Sequence, residues 1–275
     1  MSAPLAFGLV LALFVPLHVA GWRIAEKFSS GARVAVGLAS LAPCLPGVWF
    51  ALYYLHFLPE GPLLYQLRSL SYGEGFLALF GFACGVWRSI LPKLLKPVPT
   101  AAGIFLLAIP FLKPVFKPLD LSTLRDDWRD GACLQTSVVT CGPAAAAGIL
   151  RQFGDEAITE RDLAREAWTS TTGTEAWHLA RALRRRGYQV RFLAPDGLPS
   201  RDDLPGILGS GRQRAGHFIS LLEITDDEIH FIDPLSGRAR MTPADFHKWI
   251  EFEPFFMSIR PASSTANSNA RLPTE

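Results

Sequence analysis

The chain has 275 residues, 49% of them hydrophobic, with 27 Lys and Arg against 25 Asp and Glu for a formal net charge of +2. That length holds one or two domains with ordinary cores. The near-neutral balance, without a clustered basic face, excludes nucleic acid as the expected partner, and four cysteines are too few for a disulfide scaffold at this length.

Hydrophobicity is unevenly distributed. Residues 1–118 carry long apolar runs and are expected to form an all-α transmembrane region; residues 119–262 read as a soluble domain, and 263–275 as a small, polar, disordered tail. Four runs are candidate spans: Pro4 to Trp22, Val34 to Leu58, Ser69 to Trp87 and Pro99 to Phe116. A crossing helix needs roughly 20 apolar residues, which the first two supply. The third is interrupted by Glu74 and glycines, and the fourth holds Pro110 and Lys113. The first run lacks a basic n-region and is followed by further spans, so it is read as an anchor and not as a cleaved signal peptide. Cys44 and Cys84 fall inside these runs as packing residues.

Positive charge sets the expected orientation. Arg23, Lys27 and Arg33 lie between the first two spans, and Arg88, Lys93 and Lys96 between the last two, whereas the middle connection carries Arg68 with Glu60 and Glu74. The first and third connections are therefore expected in the cytoplasm. Four spans then put the soluble domain outside; three would reverse it.

Lys113 to Asp130 suits a linker leaving the membrane. CGPAAAAGILRQF, from Cys141, reads as a helix with Pro143 in its first turn and alanines that allow close packing. Thr159 is expected to cap a second helix running to Trp168, with Asp162 as the returning carboxylate. EAWHLARALRRRG forms a third helix with Trp177, Leu179, Ala180 and Leu183 inward, which puts Arg184, Arg185 and Arg186 on a solvated face. The period then changes to that of strands: Tyr188 to Leu193, a hairpin of HFISLLEI and EIHFIDP about Thr225, Asp226 and Asp227, a short RARM strand, and PFFMSIR closing the domain. Ser200 caps a short helix, and TPADFHKWI carries a threonine cap answered by Asp245. Helices first and antiparallel strands after define an α+β domain.

Four residues stand in an order that suits nucleophilic catalysis. Cys141 opens a helix, where the helix N-terminus favours the thiolate, and Gly142 is expected to let a substrate backbone approach the sulfur. His217 begins a strand and is the candidate base, while Asp233 ends the next strand of the same hairpin and is the candidate orienter of the imidazole. Gln135 is a candidate amide donor to a developing oxyanion. Taken singly, each is as well read as a core cysteine or a hydrogen-bonded histidine; the combination carries the assignment. Cys133 is either a packing residue or a reversible disulfide partner of Cys141. A zinc site would need further ligands, so neither metal nor cofactor is expected. His178, His230 and His247 read as structural, with His230 facing away from the site.

QTSVVTCGPAAAA, GHFISLLEI and FIDPLSG resemble the cysteine, histidine and aspartate boxes of the bacteriocin-processing, double-glycine-leader cysteine peptidases, over roughly Asp130 to Arg260. The resemblance implies a papain-like domain, with Cys141 as nucleophile, His217 as base, Asp233 as orienter and Gln135 in the oxyanion hole, and cleavage after two small residues. Many relatives carry aspartate where this chain has Thr140. Such domains are often fused to ABC transporters, but no GxxxxGK[ST] occurs here, so the chain is expected to be either a stand-alone processing enzyme or a partner to a separate transporter.

The leading expectation is thus a peptidase anchored in a bacterial inner membrane with its domain outside the cytoplasm, acting on a peptide or protein substrate through a thioester. A thiol acyl or amide transferase on the same site, and a non-catalytic peptide-binding module, are the competing readings.

Overall fold

The computed structural model describes residues 1–55, 57, 61–211 and 216–262. The expected disordered tail lies outside the described residues, as do residues 56 and 58 of the second expected span. The chain divides into two compact units. The first comprises Met1–Glu60, Leu67–Leu119 and Trp168–Thr172; the second comprises Gly61–Gln66, Asp120–Ala167 and Gly173–Glu275.

The first unit is helical: α1 (Ala3–Ala25), α2 (Ser30–Ala39), α3 (Leu45–Tyr54), the end of α4 (Pro62–Arg68), α5 (Leu79–Ile90), α6 (Pro97–Ala108) and α7 (Leu112–Phe116). Three stretches, Ala3–Ala25, Ser30–Leu52 and Pro97–Phe116, are long and apolar enough to cross a membrane. Their outward side chains are apolar, among them Leu9, Leu13 and Val15 on α1 and Ile104 and Phe105 on α6, as a hydrocarbon environment demands. The two broken stretches break at proline. A single 3₁₀ turn interrupts the helix at Ala42–Cys44 around Pro43, and another at Ile109–Phe111 around Pro110.

The third expected span is not one straight helix. Pro62–Arg68 and Gly73–Ile90 meet the span criteria together but bend by 77°. Tyr72 takes a left-handed φ of 64°, and Gly73–Ala78 forms a 3₁₀ segment before α5. The glycines of that segment loosen it. Glycines also set the tightest packing of the bundle: a Cβ on Gly81 or Gly85 of α5 would run into the carbonyl oxygens of Phe14 and His18 on α1, and one on Gly21 into that of Phe82. The Gly81–Gly85 spacing is the small-xxx-small pattern that lets two membrane helices meet backbone to backbone.

In the second unit, a short hairpin of β1 (Asp127–Arg129) and β2 (Ala132–Leu134) precedes the helices α8 (Cys141–Gln152), α9 (Glu160–Glu166) and α10 (Ala176–Arg185). A six-stranded antiparallel sheet follows, in order β3-β8-β4-β5-β6-β7, from β3 (Tyr188–Leu193), β4 (Gly206–Ser210), β5 (His217–Ile224), β6 (Ile229–Asp233), β7 (Gly237–Met241) and β8 (Phe252–Pro261). The helix α11 (Pro243–Trp249) lies between β7 and β8. The α+β architecture matches the sequence reading, with two strand pairings it lacked: the β1-β2 hairpin stands where a linker was expected, and β4 fills the gap before β5. Every residue of β4 is buried, so it shows no alternating pattern to read.

α8 is buried from Gly142 through Leu150, and its small residues let it lie directly on the sheet. A Cβ on Gly148 would stand 3.0 Å from Ile232 Cδ1 on β6, and Ser220 Oγ of β5 donates to Ala145 O at 2.8 Å. α9 starts at the expected cap, Asp162 N donating to Thr159 Oγ1 at 3.0 Å, but ends at Glu166, two residues before the left-handed Trp168. The arginine run is not a freely solvated face. Arg186 forms a two-pronged ion pair with Glu166, at 2.9 and 2.7 Å, and Arg184 donates to Val190 O at 2.8 Å.

Tyr65, in the middle of α4, packs against the second unit's core. Its ring lies 5.1 Å from Phe192, 5.2 Å from Phe255 and 6.1 Å from Trp177. Phe255 in turn lies 5.2 Å from Phe218, the neighbour of His217.

Candidate active site

β5 and β6 are adjacent antiparallel strands, so the first residue of one and the last of the other meet at the same end of the sheet. Those residues are His217 and Asp233. His217 Nε2 lies 2.8 Å from Asp233 Oδ1, with both side chains nearly buried. Asp233 Oδ1 also accepts from Leu235 N at 3.0 Å, which fixes the carboxylate in the turn after β6.

Cys141 is partly exposed at the first position of α8 and near enough to His217 for the two groups to interact electrostatically. Because Nε2 is taken by Asp233, Nδ1 is the ring atom left for the sulfur. Burial works to lower the His217 pKa. The hydrogen bonds and charges of Asp233 and Cys141 outweigh it and raise the value from 6.5 to about 9. The imidazole is therefore protonated at neutral pH. For Asp233, burial pushes the carboxyl up, but the hydrogen bond from His217 and that from Leu235 N prevail and hold it below the usual carboxylate range.

Gln135 follows β2 and is tied to the same corner, its backbone N donating to Pro234 O at 2.8 Å. Its Nε2 donates to Ser137 O at 2.9 Å, which commits one of the two amide hydrogens and leaves one. Thr140, fully buried, closes the loop into α8: its Oγ1 donates to Ser137 O at 2.8 Å and accepts from Ser137 N at 3.1 Å. Thr140 thus acts as a clasp on the strand-to-helix turn.

Gly142 has a packing role. A Cβ there would stand 3.3 Å from both Leu179 Cδ2 and Phe218 Cδ2 and 3.6 Å from Thr174 Cβ. Its lack of a side chain lets the start of α8 pack against α10 and β5. Cys133 is fully buried in the main core of the domain. Burial, reinforced by the charge of Glu160, pushes its thiol far up, so it stays protonated; this favours packing over disulfide exchange. His230 lies beside Glu223 and Glu228 at 3.4 and 3.1 Å, as a structural residue would. Among the described residues, no cluster of His, Cys, Asp or Glu suits a metal ion.

Sequence reasoning missed Glu160. This buried carboxylate accepts from Thr136 N at 2.9 Å and from Thr136 Oγ1 at 2.7 Å, holding the loop next to Gln135. The pair is far apart in sequence, so no local spacing pointed to it. Among the described residues of 119–262, the large exposed apolar side chains are Val138 and Leu235; they flank Cys141 and Asp233.

A partly exposed thiol at a helix start, close to an imidazole that a nearly buried carboxylate holds, is an arrangement compatible with a thiol-nucleophile site. The chain belongs to the Peptidase C39 family, whose model matches residues 131–264. An uncharacterized protein of Methanothermobacter marburgensis is 31% identical over 114 residues, which cover 42% of this chain and 78% of that protein. The lactococcin-G-processing and transport ATP-binding protein LagD of Lactococcus lactis is 30% identical over 112 residues, 39% of this chain but only 16% of LagD. Among solved structures, the peptidase domain of Streptococcus ComA, a bi-functional ABC transporter, aligns over 46% of this chain and 96% of its own length, at 20% identity and a TM-score of 0.39. A double glycine motif protease from an AMS/PCAT transporter, in complex with the leader peptide, aligns over 47% and 90%, at 17% identity and a TM-score of 0.40.

Proposed function

We propose that this chain is a membrane-anchored cysteine peptidase with a papain-like site, acting on a peptide delivered near the bilayer. The observation that carries the reading is the 2.8 Å pairing of His217 with Asp233 at one end of the sheet, with Cys141 opening α8 close by. Sγ of Cys141, its proton held by His217, attacks the scissile carbonyl carbon, and the carbonyl electron pair moves onto oxygen. The free N–H of Gln135 is the side-chain donor for that oxyanion. Collapse breaks the C–N bond, and the amine leaves with the proton of His217, giving a thioester. His217, now neutral, takes a proton from water; the hydroxide attacks the thioester, and the acid departs as the thiol is restored. Asp233 holds the ring through both halves of the cycle.

Membership in the family, and the leader peptide bound by the AMS/PCAT relative, support a leader-like peptide substrate cut after small residues, with a separate transporter as partner. The exposed Val138 and Leu235, three and two residues from Cys141 and Asp233 along the chain, offer apolar contacts to a substrate. The charge pattern of the connections supports an inner-membrane protein with its domain outside the cytoplasm.

The test is cleavage by detergent-solubilised full-length protein of synthetic peptides carrying a double-glycine junction, followed by mass spectrometry. Cleavage that a thiol-alkylating reagent abolishes is the expected result; no thiol-sensitive cleavage of any peptide in a diverse library would overturn the proposal. Gln135→Ala is expected to lower kcat by roughly 10²- to 10³-fold with a smaller change in KM, as loss of one oxyanion donor does. Unchanged kcat in a folded variant would remove Gln135 from the mechanism.

A further inference from the structure

Length and composition leave three or four crossings, because the α4–α5 pair reads equally as a bent span or as a re-entrant loop. Two segments far from the catalytic residues decide between them. The first is Trp168–Thr172, which packs in the helical unit. Trp168 Nε1 donates to Met1 O at 3.1 Å, and its ring lies 6.1 Å from Phe111. Two residues on, Ser170 bridges to Pro118, and Thr171 N donates to Lys117 O at 2.9 Å. One short segment thus touches both the start of α1 and the end of α7. From Trp168 to Thr171 an extended chain reaches at most about 10 Å, whereas the hydrocarbon core is about 30 Å thick. Met1 and Lys117 therefore stand at the same membrane face.

The second segment is Gly61–Gln66, which belongs to the peptidase unit. Tyr65 packs among Phe192, Phe255 and Trp177, so the connection between α3 and α4 lies on the side of the peptidase domain. Between that connection and Asp120 the number of crossings is then even. Pro97–Phe116 is long and apolar enough to cross; where it does, parity requires α5 to cross as well.

We infer that the chain crosses the membrane four times, two and two, with residue 1, the α3–α4 connection and the catalytic domain all on one side and α5 a true span. This rests on the membrane-anchored reading above but not on the charge pattern, and it holds whichever side that is.

The test is cysteine accessibility in the full-length protein carrying Cys141→Ala, which silences the one native thiol that is not buried. Ser2→Cys, Leu63→Cys, Asp226→Cys and Leu94→Cys are introduced one at a time, and cells with a permeabilised outer membrane are treated with a membrane-impermeant maleimide before and after lysis. The first three are expected to label together from one side, and Leu94→Cys from the other. If the trio labels only after lysis and Leu94→Cys before it, four crossings stand and the charge-derived orientation is inverted. Leu63→Cys and Asp226→Cys labelling from opposite sides overturns the inference while leaving the protein a membrane peptidase. Recovery of the protein in the soluble fraction after a carbonate wash overturns both readings.

Discussion

Replacing Cys141 with alanine is expected to abolish thiol-dependent peptide hydrolysis, a loss on the order of 10⁵- to 10⁶-fold in kcat, as when the nucleophile of an interdependent triad is removed. Fold and membrane insertion are expected to survive. The side chain is partly exposed, and the contacts that hold the start of α8 come from Thr140, Gly142 and the alanines behind it. Parallel rate and near-UV circular dichroism measurements on Cys141→Ala check this; a folded variant that cleaves at the parental rate would show that the nucleophile lies elsewhere. Cys141→Ser is expected to fall nearly as far, because a serine hydroxyl gives up its proton to His217 far less readily than a thiol does.

The second large effect belongs to His217. His217→Ala is expected to approach the loss seen at Cys141, since the proton then has no acceptor and the leaving amine no donor. The pH profile separates catalysis from mere packing. With the imidazole raised to about 9, kcat/KM is expected to decline on the alkaline side near pH 9, as the ring loses the proton it passes to the leaving group. Asp233→Asn removes a negative charge that favours the protonated ring, so it is expected to move that alkaline limb to lower pH, with a milder loss of rate than His217→Ala. An alkaline limb unmoved by Asp233→Asn would separate the carboxylate from the titration. The same shift links to stability. His217 titrates higher in the fold than the ordinary value of 6.5, so its protonation stabilises the domain in full below that pH, and the contribution is lost as pH rises through about 9.

The sequence made the strand-borne half of the site legible because hairpins keep near neighbours together. His217 opens β5 and Asp233 closes β6, and alternation with a polar turn at Asp226 and Asp227 was enough to bring them to one sheet end. Cys141 was legible for another reason: Thr140, Gly142 and Pro143 mark a helix start, and the alanines behind it mark a helix pressed against something. Glu160 and Gly142 escaped because their roles depend on contacts made across the fold, with Thr136 for one and with Leu179 and Phe218 for the other. β4 escaped because burial on both faces erases the alternation by which strands are recognised. The bend before α5 was visible only as a weakness, Glu74 among glycines, and its angle is a property of packing that no composition encodes.

Tyr65 changes what a cut in this chain would do. An excision at residue 119 gives a fragment that holds every residue of the proposed mechanism, yet it leaves behind a ring that packs among Trp177, Phe192 and Phe255. Such a fragment carries a greasy notch where the plug belongs, one aromatic step from Phe218 and so from the residue beside His217. Tyr65 is only partly buried, so its loss is expected to cost less than the roughly 3 to 5 kcal/mol of a fully buried ring, yet still a noticeable share of a domain's margin. The family domain of this protein is therefore completed by a side chain delivered from between the second and third hydrophobic stretches, and the linear order of the chain conceals that dependence.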